Sequence, residues 1–197
     1  MSTVYKIYLG GPEVFLPDAN DIVTNKAAMC DAYGFAAQVP QDTHGINWKD
    51  LTPVEISRAI YQANVDVMKG CDCGLFDLTP FRGPSADVGT AFEVGLMTGM
   101  GKPVFAYTNV AGDFIDRFGL KQQAPNVSPM IAFTDERNWR IENFGNADNM
   151  MLDSAIALNG ALMTRVAAPF PDLLYFMDGF KACLAQAQAF FAAKAST

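Results

Sequence analysis

Between Val88 and Gly101 a single ionisable side chain, Glu93, stands inside the run Gly-Thr-Ala-Phe-Glu-Val-Gly-Leu-Met. A carboxylate on a nearly all-apolar helix raises the free energy unless it is solvated, hydrogen-bonded or used. Solvation would follow from an exposed face made of Thr90, Glu93 and Met97; use would make Glu93 a nucleophile. Asp87 precedes it by six residues. At about 100° per residue that spacing does not put two carboxylates on one helical face. Asp87 therefore belongs to the turn that leads into the helix, or the two are unrelated. Read as such a turn, Arg82-Gly83-Pro84-Ser85-Ala86-Asp87 holds Gly and Pro for a tight bend. It leaves Glu93 within about two turns of the helix start, where the macrodipole favours an ionised carboxylate. That is the setting of a nucleophilic carboxylate.

The other reactive residue types offer less. Cys30, Cys71, Cys73 and Cys183 form neither a paired disulfide framework nor a repeated C-x-x-C, and Cys71-Asp72-Cys73 has the wrong spacing for a zinc knuckle. They read as reduced, mostly buried thiols. The lone histidine, His44, reads as a loop or core hydrogen-bonding residue rather than a catalyst. A net charge of -7 without any lysine or arginine cluster works against a nucleic-acid surface, whose affinity comes from cations displacing counterions. A small uncharged ligand suits this balance better. No apolar stretch reaches membrane-spanning length, and Met1-Ser2-Thr3-Val4-Tyr5-Lys6 lacks the pattern of a signal peptide, so a cytoplasmic protein with no membrane partner is expected.

The elements that must position these residues alternate. An apolar, β-branched run over 4–9 stops at Gly10-Gly11-Pro12, so it reads as a buried strand ending in a tight loop, a usual place for a ligand. A helix follows over about 18–33, a short strand over 35–39, and a Pro/Gly-punctuated loop over 40–48. The helix over about 53–69 carries Ile56, Ile60, Asn64 and Met68 along one side. Strand 73–78, helix 87–100 and strand 103–107 complete the rhythm of a parallel, doubly wound α/β sheet. The pattern weakens over 113–149, where an excursion carrying function or an interface is expected. Helices over roughly 149–160 and 172–193 close the chain. With 197 residues, no repeat and no low-complexity linker, the expectation is one domain, with a C-terminal helical extension over about 161–197.

The segment Asp77-Leu78-Thr79-Pro80-Phe81-Arg82-Gly83-Pro84-Ser85-Ala86-Asp87-Val88-Gly89-Thr90-Ala91-Phe92-Glu93-Val94-Gly95 closely resembles the core motif of the nucleoside 2-deoxyribosyltransferase family. Three further pieces agree. Ile7-Tyr8-Leu9-Gly10-Gly11-Pro12-Glu13-Val14-Phe15 is similar to the family's opening strand and loop, Ala63-Asn64-Val65-Asp66 with Cys71-Asp72 to its second-helix exit, and Asn149-Met150-Met151-Leu152 to its Asn-Leu-Met segment. Together they span about residues 4–155.

The resemblance implies a flavodoxin-like five-stranded parallel sheet with helices on both faces. It also implies that Glu93 attacks the anomeric carbon of a bound 2'-deoxyribonucleoside, that Asp87 protonates the departing base, and that Tyr8 hydrogen-bonds Glu93. Asn149 and Met151 would reach the sugar end of a neighbouring subunit's site, which requires a homo-oligomer, dimer or hexamer. The chemistry is coherent, because N-glycosidic cleavage develops oxocarbenium character that a carboxylate stabilises and then captures. A protonated base already leaves well, so neither metal nor cofactor is expected. Deoxyribonucleoside and free nucleobase are the partners, with a lean toward purines.

Around that centre, Gly10 and Arg82 complete the substrate-facing set. Asn64 stands near the site, as a contact or as polar packing. Gln41-Asp42 resembles the family's base-facing loop, although turns use the same residues. Of two aromatic residues able to stack on a base, Phe15 is preferred to Trp48. Asp72 is either part of the motif's function or a cap at a helix-to-strand junction. Two rival readings are an N-glycosidase of 2'-deoxynucleoside 5'-monophosphates, for which Arg82, Ser85 and Ser154 are the phosphate candidates, and a non-catalytic nucleotide-sensing module.

Overall fold

The computed structural model describes residues 4–40, 48–119, 122–123, 128, 132–159 and 161–195. In chain order the main elements are β1 (Tyr5–Gly10), α1 (Ala19–Ala32), β2 (Phe35–Gln38), α2 (Pro53–Gly70), β3 (Cys73–Asp77), α3 (Val88–Gly99) and β4 (Val104–Thr108). There follow β5 (Gln122–Gln123), β6 (Phe133–Thr134), β7 (Arg140–Ile141), α4 (Met150–Leu158), β8 (Thr164–Arg165) and α5 (Asp178–Ala195).

Five strands form a parallel sheet in the order β2-β1-β3-β4-β8. This is the flavodoxin-like arrangement, whose strand order reverses between β1 and β3. Ile7, Tyr8 and Leu9 of β1 and all of β3 and β4 are buried, as strands covered on both faces must be. Alternation along the strands sorts the faces. Tyr8 and Gly74 point toward α3, whereas Phe105 and Tyr107 meet Phe190 and Phe180 of α5. Lys26 places α1 on the α5 side, and the Tyr61–Phe92 contact joins α2 to α3 on the other.

Local chemistry fixes the helix ends. Thr52 and Glu55 form a reciprocal capping box ahead of Pro53, so α2 starts where the chain offers both a cap and a residue preset for the first turn. At its far end the Lys102 ammonium donates to the carbonyls of Met68 at 2.9 Å and Lys69 at 2.6 Å, and also to that of Cys71. A cation there satisfies orphan carbonyls and complements the negative helix end.

The first seven elements lie within one or two residues of their expected bounds. The C-terminal third differs more. The segment read as a helical extension supplies the fifth strand, Thr164–Arg165, paired with Tyr107 and Thr108, and then α5 packs on the sheet. That last helix begins at Asp178, not near 172. Asn109 Nδ2 donates to the carbonyls of Leu173 and Phe176 at 2.7 and 2.9 Å, which diverts residues 173–175 into a 3-10 turn. The excursion holds a small antiparallel sheet, β5-β6-β7. All four cysteines are buried, which pushes Cys71 up to about 11, Cys30 up to about 12, and Cys73 and Cys183 higher. Among the described residues no helix is long and apolar enough to cross a membrane.

Candidate active site

The site lies where β1 ends and α3 begins. Tyr8, buried on β1, donates from its hydroxyl to Glu93 Oε1 at 2.6 Å. Two residues further along β1, a methyl group at Gly10 would stand 2.7 Å from Glu93 Oε2 and 2.6 Å from Cδ1 of Phe76. Only glycine lets the strand end approach the carboxylate so closely.

Glu93 does not sit on an exposed face with Thr90 and Met97. Those two are 2% and 0% exposed, while Glu93 is half-buried and turned toward the sheet. Nor does the helix macrodipole set its charge. Burial pushes the Glu93 carboxyl up to about 7, the Tyr8 hydrogen bond opposes the rise, and the Asp87 charge adds to it. Glu93 is the sixth residue of α3, beyond the first turn where the dipole acts, so desolvation wins.

Asp87 is the N-cap of α3, as a residue of the leading turn. Its Oδ2 accepts the Thr90 amide at 3.0 Å and the Thr90 hydroxyl at 3.2 Å.

A buried carboxylate absent from the sequence reading, Asp148, holds that turn. It accepts from the Ser85 hydroxyl, from the Ala86 amide at 3.0 Å, from Arg117 at 3.1 Å and from the Asn149 amide at 2.7 Å. Arg117 also donates to the carbonyls of Pro84, at 2.9 Å, and Ala147. Its trace in the sequence is slight, an acid beside an amide ahead of an apolar helix, which reads only as a cap. Asn149 does cap α4. Its Oδ1 accepts the Met151 amide at 3.0 Å, and its Nδ2 donates to Glu142 at 2.5 Å. Met151, beside it, is 69% exposed.

The remaining candidates divide. Phe15 is 52% exposed and stacks on Phe81 with centroids 5.4 Å apart and ring planes 12° apart. Arg82, held at a left-handed φ of 56°, sets its guanidinium 4.8 Å from the Phe15 ring and 4.6 Å from that of Phe81. These three stand on the loops that follow β1 and β3, either side of the point where the strand order reverses. Asn64 is half-buried on α2, which packs against β1. Asp72 is structural, since its Oδ2 accepts the Lys6 amide at 2.7 Å and pins the opening of β1. Ser85, offered above to a phosphate, is committed to Asp148. Gln41, Asp42 and His44 lie outside the described residues.

The bond to Tyr8 sets one pH prediction. If Glu93 acts as an ionised nucleophile, kcat/KM rises with pH and levels off above about 7, and loss of the Tyr8 bond raises the Glu93 pKa further. Tyr8→Phe therefore moves the acid limb to higher pH and slows the reaction about tenfold at pH 6.5, the worth of one hydrogen bond to a charged group. Rate profiles of the two proteins that overlie from pH 5 to 9 would contradict this.

Comparison with known proteins bears on the family and the fold. A family model described as nucleoside 2-deoxyribosyltransferase matches residues 7–151. Among solved structures, a 2-desoxiribosyltransferase from Leishmania mexicana is similar with a TM-score of 0.57 and 25% identity, covering 88% of this chain and 96% of that one. A conserved protein from Enterococcus faecalis V583 shares the fold, with a TM-score of 0.54 and 20% identity over 94% of this chain and 99% of its own. The uncharacterized protein C191.05c of Schizosaccharomyces pombe is 35% identical over 105 residues, 52% of this chain. That match covers 49% of the yeast protein, so the chain spans about half the length of this curated relative.

Proposed function

The chain belongs to the nucleoside 2-deoxyribosyltransferase family, and from that premise we propose that it exchanges nucleobases on 2'-deoxyribonucleosides by double displacement through Glu93. The observation that carries the reading is the 2.6 Å bond from buried Tyr8 to Glu93 at the carboxyl edge of the sheet. It holds one carboxylate oxygen and leaves the other as the attacking atom.

In the first half, Glu93 attacks C1' of the sugar. The C1'–N bond breaks, its electron pair goes to the base, and Asp87 delivers the proton that makes the base neutral. In the second half a nitrogen of another base attacks C1', the ester bond returns its electrons to Glu93, and the incoming base gives up its proton to Asp87. Two inversions restore the original configuration. Asn149 and Met151 complete a neighbour's site in a homo-oligomer, a role that the exposure of Met151 at the first turn of α4 supports. The Phe15 and Phe81 rings offer a broad face at the mouth, which suits a purine.

Incubation of deoxyadenosine or deoxyinosine with a different free base tests this reading. Formation of the exchanged nucleoside, followed by chromatography, is the expected result. Release of free deoxyribose without exchange would mark a hydrolase, and an unchanged mixture a binding module.

A further inference from the structure

The sheet carries a second group of polar side chains on the face opposite Glu93. Glu13, Lys26, Asp77 and Tyr107 are each no more than 5% exposed. The Lys26 ammonium pairs with Glu13 and donates to the Tyr107 hydroxyl at 2.7 Å, which donates in turn to Asp77 Oδ2 at 2.8 Å. The Phe180 and Tyr107 rings flank the ammonium at 5.1 and 5.4 Å. Stability alone does not explain such a group, because buried ion pairs replaced by apolar residues of similar volume often leave a fold as stable or more so.

Glu13 lies on the loop after β1, between the glycine pair and Phe15. Asp77 ends β3, and its Oδ1 accepts the Thr79 amide at 2.8 Å, which starts the turn leading through Arg82 to Asp87. These loops meet where Phe15 stacks on Phe81. We infer that the chain Glu13–Lys26–Tyr107–Asp77 is a staple that sets the separation of the two active-site loops, with Lys26 and Tyr107 as positioning residues for Glu93 and Asp87. The glycine pair relays that setting. A Cβ at Gly11 would overlap the Glu13 carboxylate and stand 3.0 Å from Cβ of Asp77, while Gly10 fits against Glu93. One glycine thus rests on the staple and the next on the nucleophile, with no side chain between.

The inference rests on the transfer reaction proposed above for its kinetic arm, and on that arm only. Tyr107→Phe removes the single oxygen between Lys26 and Asp77. A loop displaced by a fraction of an ångström is felt in the transition state more than in substrate binding, so kcat falls about tenfold or more while KM stays within about twofold. Lys26→Met leaves two buried carboxylates without their cation and destabilises the fold. Adding Glu13→Gln to it restores part of the thermal stability but not kcat, because the bridge is still missing.

Hydrogen exchange supplies an arm independent of activity. In Tyr107→Phe the amides of 11–15 and 78–86 exchange faster together, while those of α2 are unchanged. If the wild type transfers nothing, the functional proposal fails and the exchange result still decides the staple. If Tyr107→Phe keeps its kcat within twofold of an active wild type, or loosens one loop alone or neither, the staple is overturned.

Discussion

Glu93→Gln lowers base exchange by about 10⁴-fold or more, the scale on which removal of a nucleophile is felt. It does so without unfolding the chain, and above pH 7 the variant is the more stable protein. Glutamine keeps the shape of the side chain and an oxygen for the Tyr8 hydroxyl, but it cannot form the ester. The stability term follows from linkage. Glu93 binds its proton more tightly in the folded state, at about 7 against 4.5, so wild-type stability falls as the pH climbs through that window. Glutamine carries no such term, and the difference between the two proteins grows to about 3 kcal/mol above pH 7. Urea unfolding at pH 5 and pH 8 measures it. A gap that fails to widen with pH would show that the Glu93 carboxylate is well solvated in the folded protein.

Asp87→Asn gives the second large effect, a loss of about 10²- to 10⁴-fold in transfer from ordinary purine deoxynucleosides, the usual contribution of a general acid. Asparagine caps helices as well as aspartate does, so the bonds from the Thr90 amide and hydroxyl survive and thermal stability changes little. The leaving group provides the decisive comparison. A deoxynucleoside whose base is already cationic, alkylated at N7, needs no proton to depart, and the variant releases that base at close to the wild-type rate. An equal loss on both substrates would assign Asp87 to some step other than protonation of the leaving base.

Much of the fold was legible because strands and helices alternate regularly over its first half. The strands that became β1, β3 and β4 are short apolar runs bounded by glycine or proline, and α2 showed itself by the apolar side of Ile56, Ile60 and Met68. Asp87 was placed in the leading turn by helical angle alone, and its capping bonds agree. What escaped was whatever depends on distant partners. Thr164–Arg165 is too short for any periodicity to register, and it becomes a strand only because β4 offers Tyr107 and Thr108 as an edge. The start of α5 was misplaced because the competing donor, Asn109, lies 64 residues from Leu173. The macrodipole argument for Glu93 failed for a related reason, since desolvation is set by the packing of β1 against α3 and not by position along a helix. Asp148 reads locally only as a cap, and Lys26 carries no local pattern. Each is an ordinary charged residue until the fold surrounds it.

Asp148 has a consequence for how the site can move. One carboxylate holds Ser85 and Ala86 on one side and the opening of α4 on the other, with Arg117 bracing both. The loop that ends at Asp87 and the exposed Met150 and Met151 at the opening of α4 thus hang on one buried carboxylate.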